Sequence, residues 1–220
     1  MNINKRIIST KKLISSQQEL LMSAGLSVVN YDILKIQKLK FEYPSSFYNA
    51  IIITSINAID PLWNRVDGSK KIFVVGDKTE AALLEKGWHV EVKANNASEL
   101  AKIIIANYDH LKFVYFCGLH RRDELPKALL STQINCVEVK VYDSVAIEKS
   151  FDCIFDAVMF FSPRGVHAFA KANPENIHLA ICIGETTAAA ARIYTQNVRV
   201  AHKTTVENTI VTAVKALQND

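Results

Sequence analysis

The chain has 220 residues, 49% of them hydrophobic and 22% charged, the balance of an ordinary globular protein with either one large core or two smaller ones. Its formal net charge of +4, from 26 basic and 22 acidic side chains, is too small an excess to argue for nucleic acid, yet it suits an anionic small molecule. No stretch approaches the roughly 18 uninterrupted apolar residues of a membrane span. The polar, basic start Met1–Lys12 has no apolar run behind it of the kind a secretory signal carries, so a cytoplasmic location away from membranes is expected.

Taken in chain order, the first marker is Gly25, placed after a helix-like stretch and before a strand-like one, where a left-handed helix cap is expected. The first clear strand is Ala50–Ile53, and the second is Ile72–Val75. A helix pattern follows over Thr79–Lys86 and is closed by a second cap glycine, Gly87. Ser98–Ala106 reads as a helix, Phe113–Phe116 as a strand, Asp123–Leu130 as a helix and Val137–Val141 as a strand. The last part repeats the alternation: strands Ala157–Phe161 and Leu179–Ile183, then helices Thr187–Tyr194 and Val206–Leu217. Continuous apolar runs, with no polar alternation, belong to strands buried on both faces, the habit of parallel sheets joined by helical crossovers. Cys117, Cys136 and Cys182 fall inside such runs, and no C-x-x-C pair exists. All four cysteines, Cys153 included, therefore read as reduced thiols.

The chain also repeats itself at a constant offset of 108 residues, and two copies fill 216 of the 220 positions. Leu21-Met22-Ser23 returns as Leu129-Leu130-Ser131. Val75-Gly76-Asp77-Lys78-Thr79 returns as Ile183-Gly184-Glu185-Thr186-Thr187. Two similar units predict two similar lobes with a cleft between them as the place for a ligand. Tyr31–Lys40 and Val139–Ile147, near the seams of the repeat, are the candidate crossings between lobes.

Two motifs recur in both copies. In the first, a buried strand ends in a hydroxyl residue and the chain turns toward a helix: Ile53-Thr54-Ser55-Ile56-Asn57-Ala58 and Phe161-Ser162-Pro163-Arg164-Gly165-Val166. Backbone N–H groups at a helix start, beside one or two hydroxyls, can hold a carboxylate or phosphate. The same residues can equally be helix caps, satisfying orphan donors and nothing more. In the second motif, 22 residues on, a strand ends at Gly76 or Gly184 and a helix begins beside Thr79 or Thr187. Neither is a Walker A loop or a G-x-G-x-x-G turn. The six histidines show no metal-ligand spacing, and no G-x-S-x-G elbow is present. Phe113, Tyr115 and Phe116 read as strand core. From the residues alone the chain is a two-lobed α/β protein with hydroxyl-rich strand ends, and no reaction is defined.

The ordered set Phe160-Phe161-Ser162-Pro163-Arg164-Gly165-Val166 and Ile183-Gly184-Glu185-Thr186-Thr187-Ala188-Ala189-Ala190 resembles the uroporphyrinogen III synthase family. The first half agrees, with Ile53-Thr54-Ser55, Val74-Val75-Gly76-Asp77-Lys78-Thr79, Phe116-Cys117-Gly118 with Arg122 and Leu125, and Val141-Tyr142. The resemblance implies two α/β lobes with parallel sheets flanked by helices, joined by a two-stranded connector. Residues 1–37 with 143–220 would form one lobe and residues 38–142 the other. It implies a monomeric lyase that dehydrates and cyclises hydroxymethylbilane to uroporphyrinogen III, inverting the last pyrrole ring, with no cofactor or metal. The partner implied is a linear tetrapyrrole polycarboxylate. Substrate contacts would fall on Thr54, Ser55, Gly76, Thr79, Gly118, Arg122, Ser162, Arg164, Gly165, Gly184 and Thr187. Tyr142 would be the catalytic side chain, since a phenol keeps its proton at neutral pH and can donate it to a departing hydroxyl. The chain departs from the family where Lys11 stands in a stretch that usually carries Thr-Arg-Pro, and at Ile56 and Asn57 after Thr54-Ser55. Those departures leave room for a relative that binds tetrapyrroles without turnover; the competing readings are a non-catalytic two-lobed anion-binding protein and an interaction protein that uses its basic face on a partner.

Overall fold

Four apolar strands set the architecture. In the computed structural model, which describes residues 5–43, 45 and 47–218, Ala50–Ile53 (β4), Phe113–Gly118 (β7), Ala157–Phe160 (β9) and Ala180–Cys182 (β10) are buried along their whole length. Runs of this kind have no solvent face, so helices must cover both sides of each sheet. Contacts divide the chain into two units, Met1–Lys35 with Val145–Asp220 (unit 1) and Ile36–Ser144 (unit 2).

Unit 1 contains Arg6–Ser9 (β1), Ser15–Ser23 (α1), Ser27–Asn30 (β2), β9, Pro163–Ala172 (α6), β10, Glu185–Ala191 (α7), Val198–Val200 (β11) and Val206–Gln218 (α8). Its sheet runs β11-β10-β9-β1-β2, and every pair is parallel. Ile8, Val158, Phe160 and Cys182 face α6 and α7, whereas Ile7, Ala157, Met159 and Ile181 face α1 and α8. Residues that alternate along each strand thus feed two separate cores.

Unit 2 contains β4, a single 3₁₀ turn over Ile56–Ala58, Ile59–Leu62 (α2), Lys71–Val75 (β5), Asp77–Glu85 (α3), Val90–Ala94 (β6), Ala97–Asn107 (α4), β7 and Glu124–Ser131 (α5). The strands Leu34–Lys38 (β3) and Cys136–Ala146 (β8) belong to its sheet, which runs β3-β8-β7-β4-β5-β6. Its inner pairs are parallel, while β3 runs against β8: Leu39 N–H donates to Val141 O and Ile147 N–H to Ile33 O. The chain passes from unit 1 to unit 2 inside β3 and back inside β8. Ile51, Ile53, Val74 and Phe116 pack with α2 and α3, and Ala50, Ile52, Phe73 and Phe113 pack with α4 and α5.

The 108-residue offset carries β4 onto β9, β5 onto β10, α3 onto α7, β6 onto β11 and α4 onto α8. It also carries α1 onto α5, so the two sheets have the same strand order once elements are matched, with β3 added to unit 2. Gly25 and Gly87 close α1 and α3 at φ 78° and 76°, as expected of helix caps. Among the described residues no helix is long and apolar enough to cross a membrane.

Candidate functional site

Parallel strands bring their carboxyl ends to one edge of a sheet, and in open α/β sheets that edge is where ligands bind. In unit 2 the edge carries Thr54 and Ser55 after β4, Gly76 after β5, Gly118 at the end of β7 and Tyr142 in β8. In unit 1 it carries Ser162 after β9 and Gly184 after β10.

Tyr142 owes its place to a slip in the β7–β8 ladder. Cys117 lies opposite Lys140, but the next step sets Gly118 opposite Tyr142, skipping Val141. Leu119 N–H donates to Tyr142 O at 2.9 Å and holds the slip. The phenol ring then lies against Gly118. A Cβ on residue 118 would stand 2.6 Å from Tyr142 Cζ and 2.9 Å from its hydroxyl oxygen, closer than any real contact. Glycine at 118 is therefore the seat of the ring, a steric role the sequence reading did not contain.

Thr54 has a partner that the sequence assigned to the core alone. Tyr115 lies opposite Ile52, its ring buried among the side chains that pack on α4 and α5, and its hydroxyl meets Thr54 Oγ1 at 2.8 Å. Burial pushes the Tyr115 hydroxyl up to about 12. The signal was in principle visible, because a tyrosine in a fully apolar strand needs a partner for its O–H.

Ser55 and Ser162 are caps. Ser55 Oγ accepts from Asn57 N–H at 3.3 Å, and Ser162 Oγ accepts from Gly165 N–H at 3.0 Å, ahead of Pro163 in the first turn of α6. Gly165 is close-packed: a Cβ there would meet Ser162 Oγ at 3.1 Å and Ile33 Cγ2 at 3.2 Å. Arg164 is half-buried in the same turn.

The two glycine turns differ in cause. Gly76 has φ 85°, a left-handed conformation, with open space where a Cβ would stand; Gly184 is extended and packs against Thr204. Thr79 and Thr187 are buried, and each donates its backbone N–H to the carbonyl of Gly76 or Gly184. An acid occupies the first turn of each helix. Asp77 pairs with Lys93 at 2.7 Å, which holds its carboxyl below the usual range, and Glu185 pairs with Arg192 to the same effect.

Arg122 is exposed, whereas its neighbour Arg121 is tied down. Arg121 reaches both Glu138 oxygens at 2.6 Å and also Asp123. That hydrogen bonding holds the Glu138 carboxyl below its ordinary value. Lys140 Nζ adds contacts to Glu138 at 2.5 Å and to Cys117 Sγ at 3.3 Å. Of the positions where the chain departs from the family pattern, Lys11 is exposed just after β1, and Ile56 and Asn57 line a cavity of about 400 Å³. Lys38 and Lys86, which sequence reasoning missed, lie in the same cavity on either side of Asp60, at 4.0 and 3.7 Å.

Fold and turns together define a duplicated α/β protein, two parallel sheets with hydroxyl- and glycine-bearing turns at their carboxyl ends. A family model described as uroporphyrinogen-III synthase HemD matches residues 15–210. The chain belongs to the uroporphyrinogen-III synthase family, cyclising lyases of tetrapyrrole biosynthesis. Among solved structures, the uroporphyrinogen-III synthetase of Helicobacter pylori 26695 is similar at 17% identity and a TM-score of 0.76, with 96% of this chain and 99% of that one covered. A mutant uroporphyrinogen III synthase of the extremely thermophilic bacterium Thermus thermophilus is similar at 13% identity and a TM-score of 0.62, covering 98% and 100%. At these identities the likeness is one of fold. Comparison with curated protein sequences gives no match.

Proposed function

We propose that the chain closes hydroxymethylbilane to uroporphyrinogen III as a cytoplasmic monomer, with Tyr142 as the proton donor. The observation that carries this reading is the Tyr142 ring seated on Gly118 at the carboxyl ends of β7 and β8, in the same unit as the Thr54–Tyr115 hydroxyl pair. The substrate's terminal hydroxyl leaves as water once it receives a proton, and the phenol supplies it. The substituted α-carbon of the last pyrrole attacks the freed methylene to form a spiro ring, and its bond to the original bridging methylene breaks. That methylene re-bonds to the ring's free α-carbon, and the proton lost there restores the phenol. No oxidant or reductant enters the balance.

Carboxylates of the substrate are taken by Thr54, Ser55, the Gly76–Thr79 turn, Gly118 and Arg122 in unit 2. In unit 1 they are taken by Ser162, Arg164, Gly165 and the Gly184–Thr187 turn. Where a serine hydroxyl already caps a helix, the backbone N–H groups and Arg164 carry the contact; Arg122 offers a planar fork that fits a carboxylate with two hydrogen bonds. Holding a flexible tetrapyrrole by many carboxylates fixes its two ends in reacting geometry. The gain is effective molarity, and no cofactor is required.

The test is an isomer assay. Freshly made hydroxymethylbilane is supplied, the product oxidised and the isomers resolved; isomer III is expected, and isomer I alone at high protein concentration overturns the reading. Tight binding without isomer III would favour a tetrapyrrole-binding protein instead. Tyr142→Phe should lower turnover at least several-fold in a folded protein, and unchanged turnover removes Tyr142 from the chemistry.

A further inference from the structure

We propose that Tyr115 is a positioning residue for substrate binding: it donates its hydroxyl hydrogen to Thr54 Oγ1 and so commits the hydrogen of Thr54 to a substrate carboxylate. The proposal rests on the synthase reading and adds a residue to it.

The 2.8 Å contact between the two hydroxyls leaves the direction of the bond open by distance alone, and burial decides it. Tyr115 is 3% exposed, and among the described residues Thr54 is the hydrogen-bond partner of its hydroxyl. If Thr54 were the donor, the phenol hydrogen would be left buried without an acceptor, the costly state for a donor removed from water. Thr54 sits half-exposed after β4, so its own hydrogen can reach outward. The phenol therefore donates and the threonine oxygen accepts. A hydroxyl whose oxygen is engaged from behind presents a hydrogen to the ligand, and a carboxylate, which only accepts, is the matching group. Donation from the phenol also polarises the threonine O–H and strengthens the outward bond. The ladder keeps this geometry rigid, because Ile52 and Ile53 of β4 are paired with Tyr115 and Phe116 of β7.

The test is a double-mutant cycle on affinity, with KM for hydroxymethylbilane and Kd for uroporphyrin, the oxidised macrocycle, as readouts. Tyr115→Phe removes one oxygen from a buried ring and should weaken both about three- to tenfold, the size of one net hydrogen bond, with the loss falling on KM more than on kcat. Thr54→Val should do the same, and the double variant should be no worse than Thr54→Val alone. Thr54→Ser keeps the hydroxyl and should recover most of the affinity lost in Thr54→Val. Wild-type affinity in Tyr115→Phe, or losses that add in the double variant, overturn the proposal. A wild-type protein that makes no isomer III overturns the synthase reading instead. In that case the uroporphyrin Kd of the same five proteins still decides whether Tyr115 acts through Thr54.

Discussion

The two units share a strand order and a pattern of covering helices, yet they use their hydroxyls differently. In unit 1, Ser162 caps α6, and Thr10, one step past the Ser9–Met159 pair, donates its side chain to Met159 O at 2.8 Å. Both hydroxyls are engaged by the protein itself. By the same offset Thr10 falls on Gly118 and Ser162 on Thr54, whose hydroxyl meets that of Tyr115 at 2.8 Å. Tyr142 on Gly118 has Leu34 as its counterpart along the repeat. Duplication preserved the scaffold, while the phenols of Tyr115 and Tyr142 in unit 2 have Ile7 and Leu34 as their counterparts in unit 1.

The largest effect expected from breaking this asymmetry comes from Gly118→Ala. The new methyl would stand 2.6 Å from the Tyr142 ring, and the ring, not the paired strand, must move. Turnover should fall roughly tenfold, a small part of what a positioned acid contributes. In a Tyr142→Phe background the same substitution should cost nothing further, because the group it displaces has gone. Steady-state assays of the four proteins read this directly, and an independent loss in the double variant would mean that residue 118 acts by some route other than the ring.

The asymmetry was only partly legible in the sequence. Continuous apolar runs exposed the central strands β4, β7, β9 and β10, because burial on both faces removes every polar residue. The outer strands β2, β6 and β11 gave no such signal: Val90–Ala94 alternates exposed with half-buried residues, and Val198–Val200 is three residues long. The hydroxyl motifs showed where the chain turns but not what each oxygen bonds, since capping and ligand binding select the same residues. Only geometry separates Ser162, engaged by Gly165 N–H, from Thr54, engaged by a phenol. The seat at Gly118 depends on a ladder slip between Cys117 and Gly118, and a slip in register leaves no mark on composition.

A smaller effect separates the two glycine turns. Gly76→Ala forces a side chain into a left-handed conformation at φ 85°, a strain on the order of 1–3 kcal/mol. Gly184→Ala keeps an extended backbone and presses its methyl to 3.1 Å from Thr204 Cγ2, while the stiffer unfolded chain returns about 0.4–1 kcal/mol. Urea unfolding should show Gly76→Ala losing clearly more stability than Gly184→Ala. Equal losses would mean that the two turns are held by the same constraint.

The smallest difference lies where the loop before a helix meets an outer strand. Unit 1 makes this link without charge: Leu13 N–H donates to Asn30 Oδ1 at 2.8 Å, and Asn30 Nδ2 returns a bond to Leu13 O at 3.1 Å. At the matching positions unit 2 sets Arg121 against Glu138. Glu138 is held below its ordinary carboxylate value of 4.5 in the folded protein, first by the hydrogen bond from Arg121. A depressed carboxyl stabilises the fold above its unfolded pKa, and that contribution fades as the pH falls from 4.5 through the folded value. The melting temperature of Glu138→Gln should therefore lie slightly below wild type at neutral pH, and the gap should close below about pH 4.5. Partial exposure of the pair to solvent keeps the effect small. Asn30→Ala should lower the melting temperature by an amount that does not change over the same range, because its bonds carry no titrating group. A constant gap for Glu138→Gln would show that packing of the side chain, and not its charge, makes the link in unit 2.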